Sequence, residues 1–318
     1  MSAMTTSPAP GSPAAGISIR GVRHIYPGGK LALDGVDLEI GTGLFGLLGP
    51  NGAGKSTLMK IVCTLLQPTA GSVRVLGHDT VKDRHAVRAR LGYLPQEFSA
   101  WRLLCCEEVL DTFARLAGIS NKSDRELKVA KALADVGLTV VADRKVKTLS
   151  GGMVRRLGVA QALVHDPTVL VVDEPTVGLD PEERLRFRSL MANLSTTRVI
   201  VLSTHIVADL GGTCRDLALI DNGKVVFRGA PAELTRYAEG RVFEAVLGKA
   251  AADQLDPARF EVVSRVPEGV GVRVRVVSAQ GSSLPHAEPV AEPTLEEAYL
   301  AFMAARGRAA VVSEGREA

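Results

Sequence analysis

The sequence predicts an α/β chain: a large domain of buried parallel strands and helices over residues 16–236, and a small α+β domain over residues 237–303. Three observations predict it. Short apolar runs such as "GLFGLLG", "VLVVDEP" and "RVIVLSTH" alternate with amphipathic helical stretches, as strands covered on both faces do. Between Gln96 and Leu149 the strand signal gives way to "EEVLDTFARLAG" and "RELKVAKALADVG", which predicts a helical insert at about 97–150. After Tyr237, "GVGVRVRVV" alternates Val270, Val272, Val274 and Val276 with Gly271, Arg273 and Arg275, the period of a half-buried antiparallel strand.

Taken in order, residues 1–15 ("MSAMTTSPAPGSPAA") have the Pro, Ser and Ala content of a disordered tail, and no basic segment leads into an apolar one as in a signal peptide. "GLFGLLG" is a buried strand feeding a helix that begins near Lys55, and "VLVVDEP" and "RVIVLSTH" are buried strands with polar ends, where parallel sheets collect function. The Pro-rich stretch "GSSLPHAEPVAEP" is a loop before a last helix, whose Thr294 and Glu297 have capping-box spacing. Leu295, Ala298, Tyr299, Phe302 and Met303 share one face of that helix as a packing stripe, and residues 304–318 read as a flexible tail. No uncharged apolar run reaches the ~20 residues of a membrane-spanning helix.

With 318 residues and 46% hydrophobic content, the chain can bury a full core without metal or disulfides. A formal charge of +3 without a basic stripe argues against nucleic acid as a partner. Cys63, Cys105, Cys106 and Cys214 lack zinc-ligand spacing and fit reduced thiols.

Chemistry concentrates in "GPNGAGKST", Gly49 to Thr57, comprising Gly49, Pro50, Asn51, Gly52, Ala53, Gly54, Lys55, Ser56 and Thr57. Gly49, Gly54, Lys55 and Ser56 fit the phosphate-loop pattern, and the match lies between a strand and a helix, the context that supports it. Glycines allow backbone N–H groups to close around phosphate oxygens, and the helix start adds a favourable dipole. Lys55 would reach the β- and γ-phosphates, and Ser56 would hold Mg²⁺. A second magnesium anchor is expected at a neighbouring strand end, where Asp173 lies; Glu174 after it could orient and deprotonate water. An Asp-Glu pair alone also serves as a helix cap or solvated turn, and the loop decides between these readings. His205 ends a parallel strand where the γ-phosphate is expected.

A second anion-shaped helix start, "LSGGMVRRLGVAQAL" from Leu149, has Ser150 as cap and Gly151 and Gly152 for close backbone approach. One phosphate loop already accounts for one nucleotide, so this start either takes its ligand from a partner or is an ordinary Ser-capped helix with a flexible entry, and the segment alone fits both.

The order of these motifs resembles the ATP-binding subunits of ABC transporters: Tyr26 before the loop, "GPNGAGKST", Gln96 in "LPQEF", "LSGGM", "VLVVDEP", "GLDP" with Asp180, then His205. The resemblance covers Ile17 to about Arg236. It implies a P-loop NTPase core that hydrolyses ATP, and a head-to-tail dimer in which Ser150 and Gly152 contact ATP held by the other copy. It further implies that Tyr26 stacks on adenine, that Gln96 senses metal and γ-phosphate, and that Asp180 lies at the dimer seam. Catalytic roles thus fall on Glu174, His205, Lys55 and Gln96, and metal contacts on Ser56, Gln96 and Asp173. Met153 departs from the family's usual Gln.

The closing "PTLEEAYLAFM" is similar to the tails of single-domain subunits of ABC-2 type exporters, including drug and antibiotic self-resistance systems. That implies an exporter's ATPase at the cytoplasmic face of the membrane, held there by an integral-membrane permease. "EFSAWRLLCCEEVL" offers more apolar residues than an isolated exposed segment needs, and is the expected docking surface. An importer ATPase shares the same chemistry. A soluble ABC-type ATPase is the other alternative, although the paired cassettes or long coiled coil of many such proteins are missing.

Overall fold

Strand β1 (Ile17–Ile25) pairs antiparallel with β2 (Leu31–Ile40), and the chain then enters β3 (Gly43–Leu48) and α1 (Lys55–Val62). The computed structural model describes residues 16–278, 282, 284 and 286–307. Next come β4 (Ala70–Val75), β5 (His78–Asp79), α2 (Arg84–Arg88) and β6 (Leu91–Leu94). The insert follows as α3 (Cys106–Leu116) and α4 (Lys122–Asp135), with 3₁₀ turns before α5 (Gly151–Leu163). The domain closes with β7 (Val169–Asp173), α6 (Pro181–Ser195), β8 (Val199–Thr204), β9 (Asp216–Asp221) and β10 (Lys224–Gly229).

The predicted parallel sheet is present in the order β10-β9-β3-β8-β7-β6. Its central strands β7 and β8 are buried at every residue, which is why they read as uninterrupted apolar runs. A second sheet, β2-β1-β4-β5, is antiparallel and lies outside the parallel-strand prediction. Its strands alternate buried with exposed residues, because one face joins the core through Ile17, Ile19, Val22, Leu33 and Val36.

The chain divides after Arg228 into two compact units. The sequence boundary was set at Arg236; the earlier division arises because α7 (Pro231–Tyr237) packs on α9 (Leu295–Ala304) within the second unit. Between them lie β11 (Val242–Gly248), α8 (Lys249–Asp253), β12 (Phe260–Glu268), β13 (Gly271–Ser278) and β14 (Glu288–Pro289), whose sheet runs β12-β13-β11-β14. The alternating strand is β13, but Val270 falls outside it: it is fully exposed just before the strand begins, while Val274 and Val276 enter the core.

The capping box of α9 forms, with Thr294 Oγ1 accepting from Glu297 N and Glu297 Oε2 accepting from Thr294 N. Glu297 is itself buried and pairs with Arg275 on β13, so the capping carboxylate also fastens helix to sheet. Of the apolar stripe, Ala298 and Met303 are fully buried together with Ala301; Leu295, Tyr299 and Phe302 are half-buried. The expected tail at residues 1–15 lies outside the described residues, as do residues 308–318 of the expected tail at 304–318; before those, α9 ends at Ala304 and a turn reaches Gly307. No helix among the described residues is long and apolar enough to cross a membrane, and all four cysteines are free thiols.

One close approach fixes the sheet against α5. A Cβ added to Gly92 on β6 would lie 2.1 Å from the carbonyl oxygen of Ala162. Backbone cannot yield as a side-chain tip can, so Gly92→Ala is expected to destabilise the chain by about 1–3 kcal/mol. Chemical denaturation at constant m-value checks this.

Candidate functional site

The phosphate loop leaves β3 and turns into α1 through residues that only glycine tolerates. Gly54 has φ +112°, and a Cβ there would meet the carbonyl of Ala32 at 2.6 Å. A Cβ on Gly49 would come within 2.2 Å of the Ile220 carbonyl. The loop borders a cleft of ≈ 470 Å³, lined also by Tyr26, Lys30, Gln96 and Glu174. Tyr26 stands at one wall, its hydroxyl 3.1 Å from Thr57 Oγ1.

Three of the predicted residues converge on the carboxylate of a fourth. Glu174 Oε1 lies 3.4 Å from Lys55 Nζ, while Oε2 lies 3.2 Å from His205 Nδ1 and accepts from Gln96 Nε2 at 3.4 Å. Glu174 and Lys55 are both buried; His205 is partly open. Lys55 also donates to the carbonyls of Gly49 (2.6 Å) and Pro50 (3.2 Å), which holds its stem inside the loop. Burial pushes the Lys55 ammonium below its ordinary value, and the nearby Glu174 and Asp173 pull it back up.

The sheet register delivers these groups. Parallel pairing of β7 with β8 sets Asp173 opposite Ser203. Ser203 Oγ donates to Asp173 Oδ1 and accepts from the Glu174 backbone N–H at 3.2 Å. The same N–H also reaches the Ser203 carbonyl, at 3.1 Å. Glu174 has φ +43°, a left-handed conformation disfavoured for glutamate, and these bonds hold it there. Behind it, the buried Asp209 carboxylate accepts from Thr176 Oγ1 and, at 3.0 Å, from Thr204 Oγ1, tying the segment after Glu174 to that before His205.

A divalent metal fits the donor set. Ser56, the Gln96 amide and the Asp173 carboxylate present oxygens only, which suits Mg²⁺ held by few protein groups with phosphate and water completing its shell. No cluster of three or more His, Cys, Asp or Glu residues among the described residues would compete as a metal site.

Ser150, Gly151, Gly152 and Asp180 do not line this cleft. Ser150 caps α5 by accepting from Met153 N at 3.2 Å, so the predicted helix start is present. Gly152 is packed beneath Glu183, where an added Cβ would come within 2.5 Å of the carboxylate. Asp180 caps α6 through Glu183 N at 2.8 Å. The second anion-shaped helix start therefore lies apart from the first within one chain.

Sequence reasoning missed four contributors. Lys30 was not expected in the cleft wall. Ser203 and Asp209 acquire their roles from strand register and a loop fold; the only sequence signal was their closeness to His205. Arg155 on α5 donates to the carbonyls of Pro95, Gln96, Asp173, Glu174 and Pro175 at 2.7–3.2 Å.

Residues 33–177 match the family described as "ABC transporter". The chain is 36% identical to Daunorubicin resistance ATP-binding protein DrrA3 of Streptomyces coeruleorubidus, over 89% of this chain and 94% of that protein. It is 38% identical to Nod factor export ATP-binding protein I of Cupriavidus metallidurans, over 76% of this chain and 79% of that one. It is 40% identical to ABC transporter A family member 8 of Dictyostelium discoideum over 64% of this chain, and the match spans only 24% of that longer protein. Among solved structures, the dimeric post-hydrolysis state of the ATP-binding cassette MJ0796, bound to ADP and Pi, superposes with a TM-score of 0.61 and 25% identity, covering 67% of this chain and 98% of that one.

Removing the Ser203 hydroxyl leaves the Asp173 carboxylate and the Glu174 N–H each short of a partner. Ser203→Ala is expected to lower stability by about 1.5–3 kcal/mol, the range for hydrogen bonds to charged groups. Equilibrium unfolding of the purified chain measures it.

Proposed function

Because the chain belongs to the family of ABC transporter ATP-binding proteins and hydrolyses ATP, we propose that it powers export of a substrate through a separate integral-membrane permease, to which it binds at the cytoplasmic face. The observation that carries the reading is the Glu174 carboxylate, buried at a strand end and facing Lys55, Gln96 and His205 together. Similarity to a daunorubicin resistance ATP-binding protein and to a Nod factor export ATP-binding protein favours export over import. A drug, antibiotic or lipid-like compound is the proposed class of cargo.

In the proposed reaction, the loop N–H groups and Lys55 bind the phosphates of ATP, and Lys55 exchanges its contact with Glu174 for the β- and γ-phosphates. Tyr26 stacks on the adenine. Ser56, Asp173 and Gln96 would hold Mg²⁺, which when bound would supply neutralisation of charge on the phosphate oxygens. Glu174 accepts a proton from the water as its oxygen bonds to the γ-phosphorus and the bond to the β-phosphate oxygen breaks, releasing ADP and phosphate, while His205 steadies the γ-phosphate.

Two copies complete the site. Ser150, Gly151 and Gly152 form an anion-binding helix start that faces no nucleotide cleft of its own chain, and in the proposed head-to-tail dimer they close over ATP held by the other copy, with Asp180 at the seam. The MJ0796 cassette is dimeric in its solved structure, which supports this reading. The insert offers the permease a surface: Trp101 and Leu103 are exposed, and Trp101 is tilted against Phe113 with ring centroids 5.6 Å apart.

Glu174→Gln is expected to lower ATP hydrolysis by about 10²–10⁴-fold, the range for loss of a general base, and to trap an ATP-bound dimer visible by size exclusion. Retention of turnover would mean that another group activates the water. Trp101→Glu is expected to leave ATP binding by the purified chain intact while abolishing ATP-driven transport in membrane vesicles; unchanged transport would place the permease contact elsewhere.

A further inference from the structure

Arg155 touches both the segment carrying Gln96 and the segment carrying Glu174 through several backbone bonds at once. Its Nε donates to Pro175 O at 2.8 Å. One terminal nitrogen donates to Pro95 O and Gln96 O at 3.2 and 2.7 Å, and the other to Asp173 O and Glu174 O at 3.1 and 2.8 Å. All five acceptors are main-chain carbonyls, so the guanidinium fixes backbone position and leaves the Glu174 and Gln96 side chains free for chemistry. A planar fork with donors on three nitrogens suits this arrangement; a lysine ammonium could not span it.

The helix that carries Arg155 begins at Ser150, about one turn away. We infer that Arg155 is a positioning residue that locks Gln96 and Glu174 to the start of α5, so that engagement of Ser150 and Gly152 by the other copy's nucleotide is felt at the chain's own catalytic carboxylate. This consequence rests on the two-copy arrangement proposed above; the five bonds do not. A link of this kind makes the two ATP sites of a dimer interdependent, because each α5 touches one site at its tip and the other through its arginine.

Burial works against the charge at this point, and the surrounding acceptors offset it. It pushes the Arg155 guanidinium below its usual value, with Asp173 opposing the shift, and the five carbonyls compensate the desolvated donors. Arg156, the next residue, is a useful contrast. It donates to the carbonyls of Val136 and Gly137 and pairs with Glu183, and makes no bond to the catalytic segments.

The test uses the full chain in its native membrane complex. Arg155→Met is expected to lower kcat by about 10²-fold, the cost of a small misplacement of catalytic groups. KM for ATP, and ATP affinity of the purified subunit, should stay within about a factor of three, the split that marks an interaction made in the transition state. Arg155→Lys, which keeps the charge and part of the reach, should give an intermediate kcat with parental ATP affinity, and carries the test alone should the Met variant fail to fold. Arg156→Met, removing a similar number of bonds from the same helix, should retain more of kcat than Arg155→Met. Parental kcat in Arg155→Met, or kcat and ATP affinity falling together in both arginine variants, would overturn the inference. ATP-driven dimerisation of Glu174→Gln is scored separately: its failure overturns the two-copy reading, whereas failure of the kcat split overturns the role of Arg155.

Discussion

Everything at the centre of this molecule depends on keeping one buried carboxylate partnered and aimed. Glu174 is buried beside Lys55, Gln96 and His205, and a charge in that position is tolerable only while its partners stay in place. The lysine belongs to the phosphate loop, the glutamine to the segment after β6, and the histidine to the end of β8. Three separate pieces of chain must therefore arrive at one point, and the parallel sheet is the device that brings them. Side-by-side registration of β7 and β8 sets Asp173 against Ser203, and from that pairing the positions of Glu174 and His205 follow.

The same point carries strain. Glu174 occupies a left-handed backbone conformation, and two acceptors on Ser203 hold its N–H. Around it the main chain is fastened twice over, by Asp209 to the threonines behind and by Arg155 to the helix alongside. A fastened backbone suits the proposed exchange of partners on phosphate binding, since reorganisation is then confined to the side chains of Lys55 and Gln96.

The signature helix start has a different character. Its first exposed groups, Ser150 and Gly151, cap nothing beyond their own helix, and Gly152 is roofed by Glu183, which Arg156 holds by an ion pair. An anion approaching those backbone N–H groups meets a negative carboxylate nearby, and Arg156 and Arg186 partly offset it. The accessory unit shows the same economy of polar groups: Glu297 both caps its helix and holds Arg275.

Legibility followed the range of the physics. Local rules were enough for the phosphate loop, whose glycines are dictated by backbone approach, for the caps at Ser150 and Thr294, and for the buried strands, whose unbroken apolar runs reflect burial on both faces. The antiparallel sheet of β1, β2, β4 and β5 escaped notice because its alternation is broken by register shifts, as between Ile19 and Val22. Val270 was read into a strand because periodicity continues across a turn that period alone does not mark. Arg155, Ser203 and Asp209 were invisible as site residues, since their partners lie far along the chain and a side chain's use of a distant carbonyl leaves no pattern in sequence. The amino-acid order by itself determined the family and the phosphate-loop pattern and picked out the candidate reacting groups, because those need particular residues at short spacing. Tertiary structure alone decided that they meet at Glu174, because convergence of distant segments is a property of sheet register and packing.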